Sequence, residues 1–153
     1  MLNKLIGATA MCALLAVGAV AQDFSGEAGQ EVELEAGFVP DPYALTLVAG
    51  GSEQAESTVE DCAGWVANAP DVRLVYTAGE YPLYFFTDSR ADTTLLINDP
   101  EGNWHCDDDG SYDLNALISF EKPASGQYDI WVGTVGEDEY PRATLYISEA
   151  HTE

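Results

Sequence analysis

The sequence predicts an all-β protein, an antiparallel β-sandwich of jelly-roll type with about eight or nine strands. Three observations point there. Apolar and polar side chains alternate in short runs, as in Val72-Arg73-Leu74-Val75-Tyr76-Thr77, the period that a sheet with one buried face requires. Turn-forming Gly, Pro, Asn and Asp recur about every eight to twelve residues. No stretch places apolar residues at the spacing of an amphipathic helix.

Residues 1–21 stand outside the predicted domain. Lys4 supplies a short positive start, an apolar run extends from Leu5 to Val20, and Ala19-Val20-Ala21 has the small-x-small form of a signal-peptidase site. The run is short for a membrane span and lacks the basic flank that stops transfer. Residues 1–21 are therefore read as a removed secretory signal, with a retained membrane anchor as the alternative. Cys12 follows Met11, whereas a lipid-bearing cysteine needs a small residue before it. The mature chain is expected to begin at Gln22, in the periplasm or outside the cell, without membrane insertion.

Residues 22–40 are polar and acidic and are expected to be loose, apart from a first edge strand near Val32–Ala36. Residues 41–149 hold the sandwich. Phe38-Val39-Pro40-Asp41-Pro42 is a stiff turn, because each proline fixes φ and restricts the residue before it. Tyr43–Ala49 is a strand ended by Gly50-Gly51. Ser52–Asp61 is polar and reads as a surface connection, leading to Cys62-Ala63-Gly64-Trp65-Val66 and a break at Ala69-Pro70. Asp71–Ala78 alternates, while Leu83–Thr87 is apolar on both faces and is expected to be central.

After the β run Thr93–Asn98, Asp99-Pro100-Glu101-Gly102 sets Pro and Gly at turn positions and predicts a hairpin into Asn103-Trp104-His105-Cys106. An acidic loop, 107–113, precedes Leu114–Phe120. Lys122–Gly126 turns the chain into Gln127–Gly133, where Tyr128, Ile130 and Val132 alternate with Gln127, Asp129 and Trp131. Ala143–Ser148 is the closing strand.

The 153-residue chain carries 27 Asp and Glu against five Lys and Arg, a net charge of −22. Loss of Lys4 with the leader leaves Arg73, Arg90, Lys122 and Arg142, hence −23. Such a surface repels nucleic acid and anionic lipid and attracts divalent cations and basic partners. Hydration in salty water is the plainer reading of the same charge. With Cys12 in the leader, Cys62 and Cys106 form an even pair in an oxidising setting, and a Cys62–Cys106 disulfide is the simplest outcome. Two free thiols, or a metal site built from them, are the alternatives.

Three segments carry a family likeness: Asp92-Thr93-Thr94-Leu95-Leu96-Ile97-Asn98-Asp99-Pro100-Glu101-Gly102-Asn103-Trp104, then Cys106-Asp107-Asp108-Asp109, then Pro123-Ala124-Ser125-Gly126-Gln127-Tyr128-Asp129-Ile130-Trp131-Val132-Gly133-Thr134. Together they resemble the bacterial pre-peptidase C-terminal domain over about residues 70–148, with the D-P-E-G turn and S-G-Q-Y strand as the more specific part. The resemblance implies a secreted jelly-roll-like sandwich, often attached to peptidases and not itself catalytic, in which related modules bind calcium and sometimes polymeric substrates. No protease domain precedes the module in these residues, so a role in assisting a linked peptidase is not expected.

The residues of chemical interest concentrate in 92–113. Asp107, Asp108 and Asp109, with Asp113 on the same loop and Asp92 and Asp99 from the neighbouring hairpin, offer hard oxygens of the kind Ca²⁺ takes six to eight of. A structural calcium ion is expected on this set, with a solvated acidic turn as the alternative. The spacing is not that of an EF-hand, because Gly110 at its sixth position would put His105 first and Ala116 last.

Catalysis has weaker support. His105 and His151 are the two histidines, no G-x-S-x-G elbow occurs, and two isolated histidines do not supply zinc spacing. Paired carboxylates are too abundant to be informative. Trp65, Trp104, Trp131, Tyr84 and Tyr128 could form a sugar-stacking platform, although aromatics at alternating strand positions more often pack in a core. The expectation is a non-enzymatic, exported binding or accessory module with a protein or glycan ligand. The alternatives are a secreted hydrolase with an unrecognised site and a structural envelope component.

Overall fold

The computed structural model describes residues 22–23, 25–111 and 114–150. Residues 1–21, read above as a secretory signal, Asp113 and His151 lie outside them. Eleven strands form among the described residues: β1 (Gln30–Glu35), β2 (Tyr43–Val48), β3 (Glu53–Gln54), β4 (Trp65–Val66), β5 (Val72–Thr77), β6 (Leu83–Asp88), β7 (Thr93–Asn98), β8 (Trp104–Asp107), β9 (Leu117–Phe120), β10 (Gly126–Thr134) and β11 (Arg142–Ser148). They make two sheets, as a β-sandwich requires. The smaller runs β2-β11-β6-β9, antiparallel throughout.

The larger sheet is built on β10. Its first half pairs with β5 and its last residue with β4 on one edge, while β7 lies along the other edge and β8 follows β7. One pairing departs from the antiparallel expectation: β1 runs parallel to β5, from Gln30↔Val72 to Glu35↔Thr77. The described residues of segment 22–40 are accordingly tethered rather than loose. The backbone N–H groups of Asp23 and Gly29 donate to the carbonyls of Asn68 and Pro70, and Glu149 accepts from Gly37 N–H at 2.8 Å and from the Tyr76 hydroxyl at 2.7 Å.

Between the sheets lies a core of alternating side chains, among them Leu74, Tyr76, Phe85, Leu95, Ile97, Tyr128, Ile130, Leu145 and Ile147. A second core sits on the outer face of the larger sheet. There Leu96 and Trp131 are covered by Ala55, Cys62 and Val66, from a 52–66 stretch whose first part, Ser52–Asp61, the sequence presents as a plain surface connection. That stretch includes β3 and a single 3-10 turn, Ala55–Ser57. The cover changes which strands are apolar on both faces. β7 from Thr93 to Ile97 and the latter part of β10 are buried without alternation, whereas β6 is central in its sheet but alternates buried with partly exposed positions.

Covering the outer face requires the chain to leave β10 between β4 and β5, which strands a pair of β10 backbone groups. Asp71 and Gly50 close the gap. The Val132 N–H donates to Asp71 Oδ2 at 2.8 Å, and the Val132 carbonyl accepts from the Gly50 N–H at 2.9 Å. Gly50 holds φ at 97°, a conformation disfavoured for residues with a Cβ. Burial pushes the Asp71 carboxyl up to about 7, against the lowering effect of its bond from Val132.

Candidate functional site

The D-P-E-G turn forms as the sequence predicts and makes Asp99 a hub. Gly102 takes φ 83°, its N–H donates to the Asp99 carbonyl, and the Asp99 N–H donates to Asn103. Asp99 Oδ1 accepts the backbone N–H groups of Glu101 and Asn103, each at 2.9 Å, an aspartate capping its own turn. Its Oδ2 meets His105 Nε2 at 2.8 Å. Burial would raise the Asp99 carboxyl, but the bonds from His105, Asn103 and Glu101 prevail and hold it below its ordinary value. The other side of His105 lies edge-on to Phe120 with ring centroids 4.8 Å apart. This histidine fastens the hairpin of the larger sheet to β9 of the smaller one.

The other predicted calcium ligands divide into two groups. Asp107 Oδ2 accepts the N–H groups of Gly110 at 2.7 Å and Leu117 at 2.8 Å, closing the acidic loop against the start of β9. β9 starts there, not at Leu114, because Leu114 is an exposed turn residue at φ 67°. Asp92, Asp108 and Asp109 lie within electrostatic reach of one another. The Asp92 carboxyl is raised by burial and then by Asp109, Asp108 and Glu139, and that of Asp108 by burial, Asp109 and Asp107. Asp92 Oδ1 is buried without a hydrogen-bond partner among the described residues. No three His, Cys, Asp or Glu of the described residues converge in a metal-holding group.

Cys62 and Cys106 are joined, with Cα atoms 5.9 Å apart and a separation of 44 positions in sequence. The bond ties the 52–66 cover to β8 beside Trp104, whose ring lies 5.2 Å from that of Trp131. Gly64 serves the same junction: it holds φ 103°, and a Cβ there would collide with Thr94 Oγ1 and the Thr134 carbonyl.

The aromatics named from sequence do not share one platform. Tyr128 faces the main core, and Trp131 is fully buried in the second. An aromatic surface exists elsewhere. On the outer face of the smaller sheet, Tyr84 and Phe86 of β6 and Tyr146 of β11 are all partly exposed. The Phe86 and Tyr146 rings stack at 5.0 Å and 18°, and their backbones are paired directly across the two strands. Period-two alternation marks both residues as outward-facing. Their meeting depends on β6 and β11 being neighbours, which the pattern alone does not reveal.

No family model matches this chain, and neither does any curated protein. Solved structures do. The chain is similar to the pre-peptidase C-terminal domain of a collagenase from Bacillus anthracis, with a TM-score of 0.46 and 8% identity over 77% of this chain and 94% of that one. It is also similar to PliG of Aeromonas hydrophila, a periplasmic inhibitor of g-type lysozyme, with a TM-score of 0.39 and 11% identity over 78% and 97% of the two chains. The first belongs to the family that the D-P-E-G and S-G-Q-Y segments resemble. At these identities and scores both likenesses concern the β architecture alone. Among the described residues, no helix is long and apolar enough to cross a membrane.

Proposed function

We propose that this chain is an exported, non-catalytic binding module whose ligand, a glycan, docks on the outer face of the smaller sheet. The stacked, partly exposed Phe86–Tyr146 pair with Tyr84 beside it carries this reading. The stacked pair, with Tyr84 beside it, offers apolar contact and stacking area to sugar rings at little conformational cost. Export is supported by the leader pattern and by the disulfide. The accessory role is supported by His105 and Asp99, which are engaged in holding a hairpin. Sedimentation with insoluble polysaccharides tests the reading. Phe86→Ala with Tyr146→Ala is expected to weaken binding at least about tenfold, as loss of a central aromatic anchor does. Unchanged binding by the double variant would remove this face from consideration.

One observation favours a second reading, a cationic protein ligand. β1 is an edge strand whose outward positions, Glu31, Glu33 and Glu35, are all exposed. Capture of a basic protein that is abolished by charge reversal at these three, and untouched by the aromatic double variant, would select it.

A structural calcium ion belongs to the same proposal: the carboxylates of Asp92, Asp108 and Asp109 do not converge without it, and the ion would have to draw them together. The unpartnered Asp92 Oδ1 supports it, as does the raising of the Asp92 and Asp108 carboxyls by burial and then by the neighbouring Asp109. Saturating Ca²⁺ is expected to raise the melting temperature by about 5–10 °C over a chelated sample. Identical melts would sink the ion.

A further inference from the structure

Gln22 is the residue that the export reading makes the N-terminus, and the fold treats it unusually. It is 3% exposed, although it stands at the edge of the domain. Its backbone nitrogen lies 3.4 Å from Thr58 Oγ1, and the same hydroxyl donates to its side-chain Oε1. The side chain is thus folded back so that its carbonyl and the backbone nitrogen of the same residue meet one oxygen. The remaining side-chain atom, Nε2, is buried with no hydrogen-bond partner among the described residues. Release at Ala21 would add an ammonium group to this enclosed place, and burying both a charge and an unpaired donor is costly.

We propose that the mature protein carries pyroglutamate at position 22, seated on Thr58 as the peg that fastens the N-terminus to the 52–66 cover. The α-amino nitrogen attacks Cδ of its own side chain, the Cδ–Nε2 bond breaks, and Nε2 departs as ammonia with the proton lost by the amine. No co-reactant is needed, and the step precedes burial because it is intramolecular. Both difficult groups disappear: the charge becomes a lactam N–H, and the unpartnered Nε2 is the leaving group. The lactam presents N–H and C=O side by side, the arrangement one hydroxyl can bridge by accepting from the first and donating to the second. The peg thereby tightens the cover over Trp131.

This inference rests on the export reading, and one experiment separates the two. The full chain is expressed in an export-competent bacterium, and the secreted product is examined by intact mass and by mass analysis of its N-terminal peptide. The expected product starts at position 22 and is lighter than the Gln22 form by one ammonia. Pyroglutamate aminopeptidase is expected to release the ring from the native protein at least about tenfold more slowly than from the reduced, alkylated chain. Thr58→Val should erase most of that difference. A product starting at Gln22 with a free amine overturns the proposal and leaves export standing. A retained leader, or a cut elsewhere, overturns both. Equal release from native and unfolded protein, or full resistance in Thr58→Val, overturns the seating on Thr58.

Discussion

Replacing Cys62 and Cys106 with serine is expected to lower stability by about 4 kcal/mol, the denatured-state entropy associated with a loop of this length, and to open the 52–66 cover selectively. The second core is small, with five buried residues, and its cover contributes only two short strands and one helical turn to hold itself down. Trp65 of β4 pairs with Thr134 of β10, and Thr94 Oγ1 donates to the Ala63 carbonyl at 2.8 Å from β7, while the bond from Ala55 N–H to the Gly64 carbonyl lies within the cover. Once the bond is lost, water reaches Trp131 and Trp104. Tryptophan emission should therefore shift to the red at denaturant concentrations where strand circular dichroism is still native. Coincident loss of both signals, at the wild-type midpoint, would show that the cover does not depend on the bond.

Asp71→Asn is expected to stabilise the fold at pH 8 and to flatten its pH dependence between about pH 4 and 7. The Asp71 carboxyl sits at about 7 in the folded chain instead of 3.8. A raised folded value means that the native state holds the proton more tightly than the unfolded state does. Stability from this group is therefore fully present below about pH 4, falls as pH rises, and is gone above about pH 7. The charged form costs the fold up to about 4 kcal/mol. Asparagine keeps an oxygen for the Val132 N–H at 2.8 Å and never charges. Melting temperatures of both proteins from pH 4 to 8 provide the check. If the variant melts lower at pH 8, the carboxylate itself, not merely its oxygen, holds the break between β4 and β5.

Much of this molecule is legible one segment at a time. Pro100 and Gly102 carry their own backbone preferences, so the Asp99–Gly102 turn follows from local chemistry. The inward set Tyr128, Ile130 and Val132 follows from the two-residue period, and the Cys62–Cys106 bond follows from the count of cysteines outside residues 1–21. The β-sandwich is the sum of such local signals.

What required the tertiary structure were the meetings of distant segments. Nothing in Gln30–Glu35 states that it will lie parallel to Val72–Thr77, because strand alternation specifies a face and not a partner. Trp131 alternates correctly outward, yet it is buried, since a polar stretch some 70 residues earlier folds back over it. The same return of the chain makes Asp71 a plug and gives Gln22 its partner in Thr58. In the acidic stretch, sequence determined only the density of carboxylates. The fold committed Asp99 and Asp107 to backbone N–H groups and left Asp92, Asp108 and Asp109 repelling one another, because those N–H groups come from turns whose geometry only the assembled sheets fix.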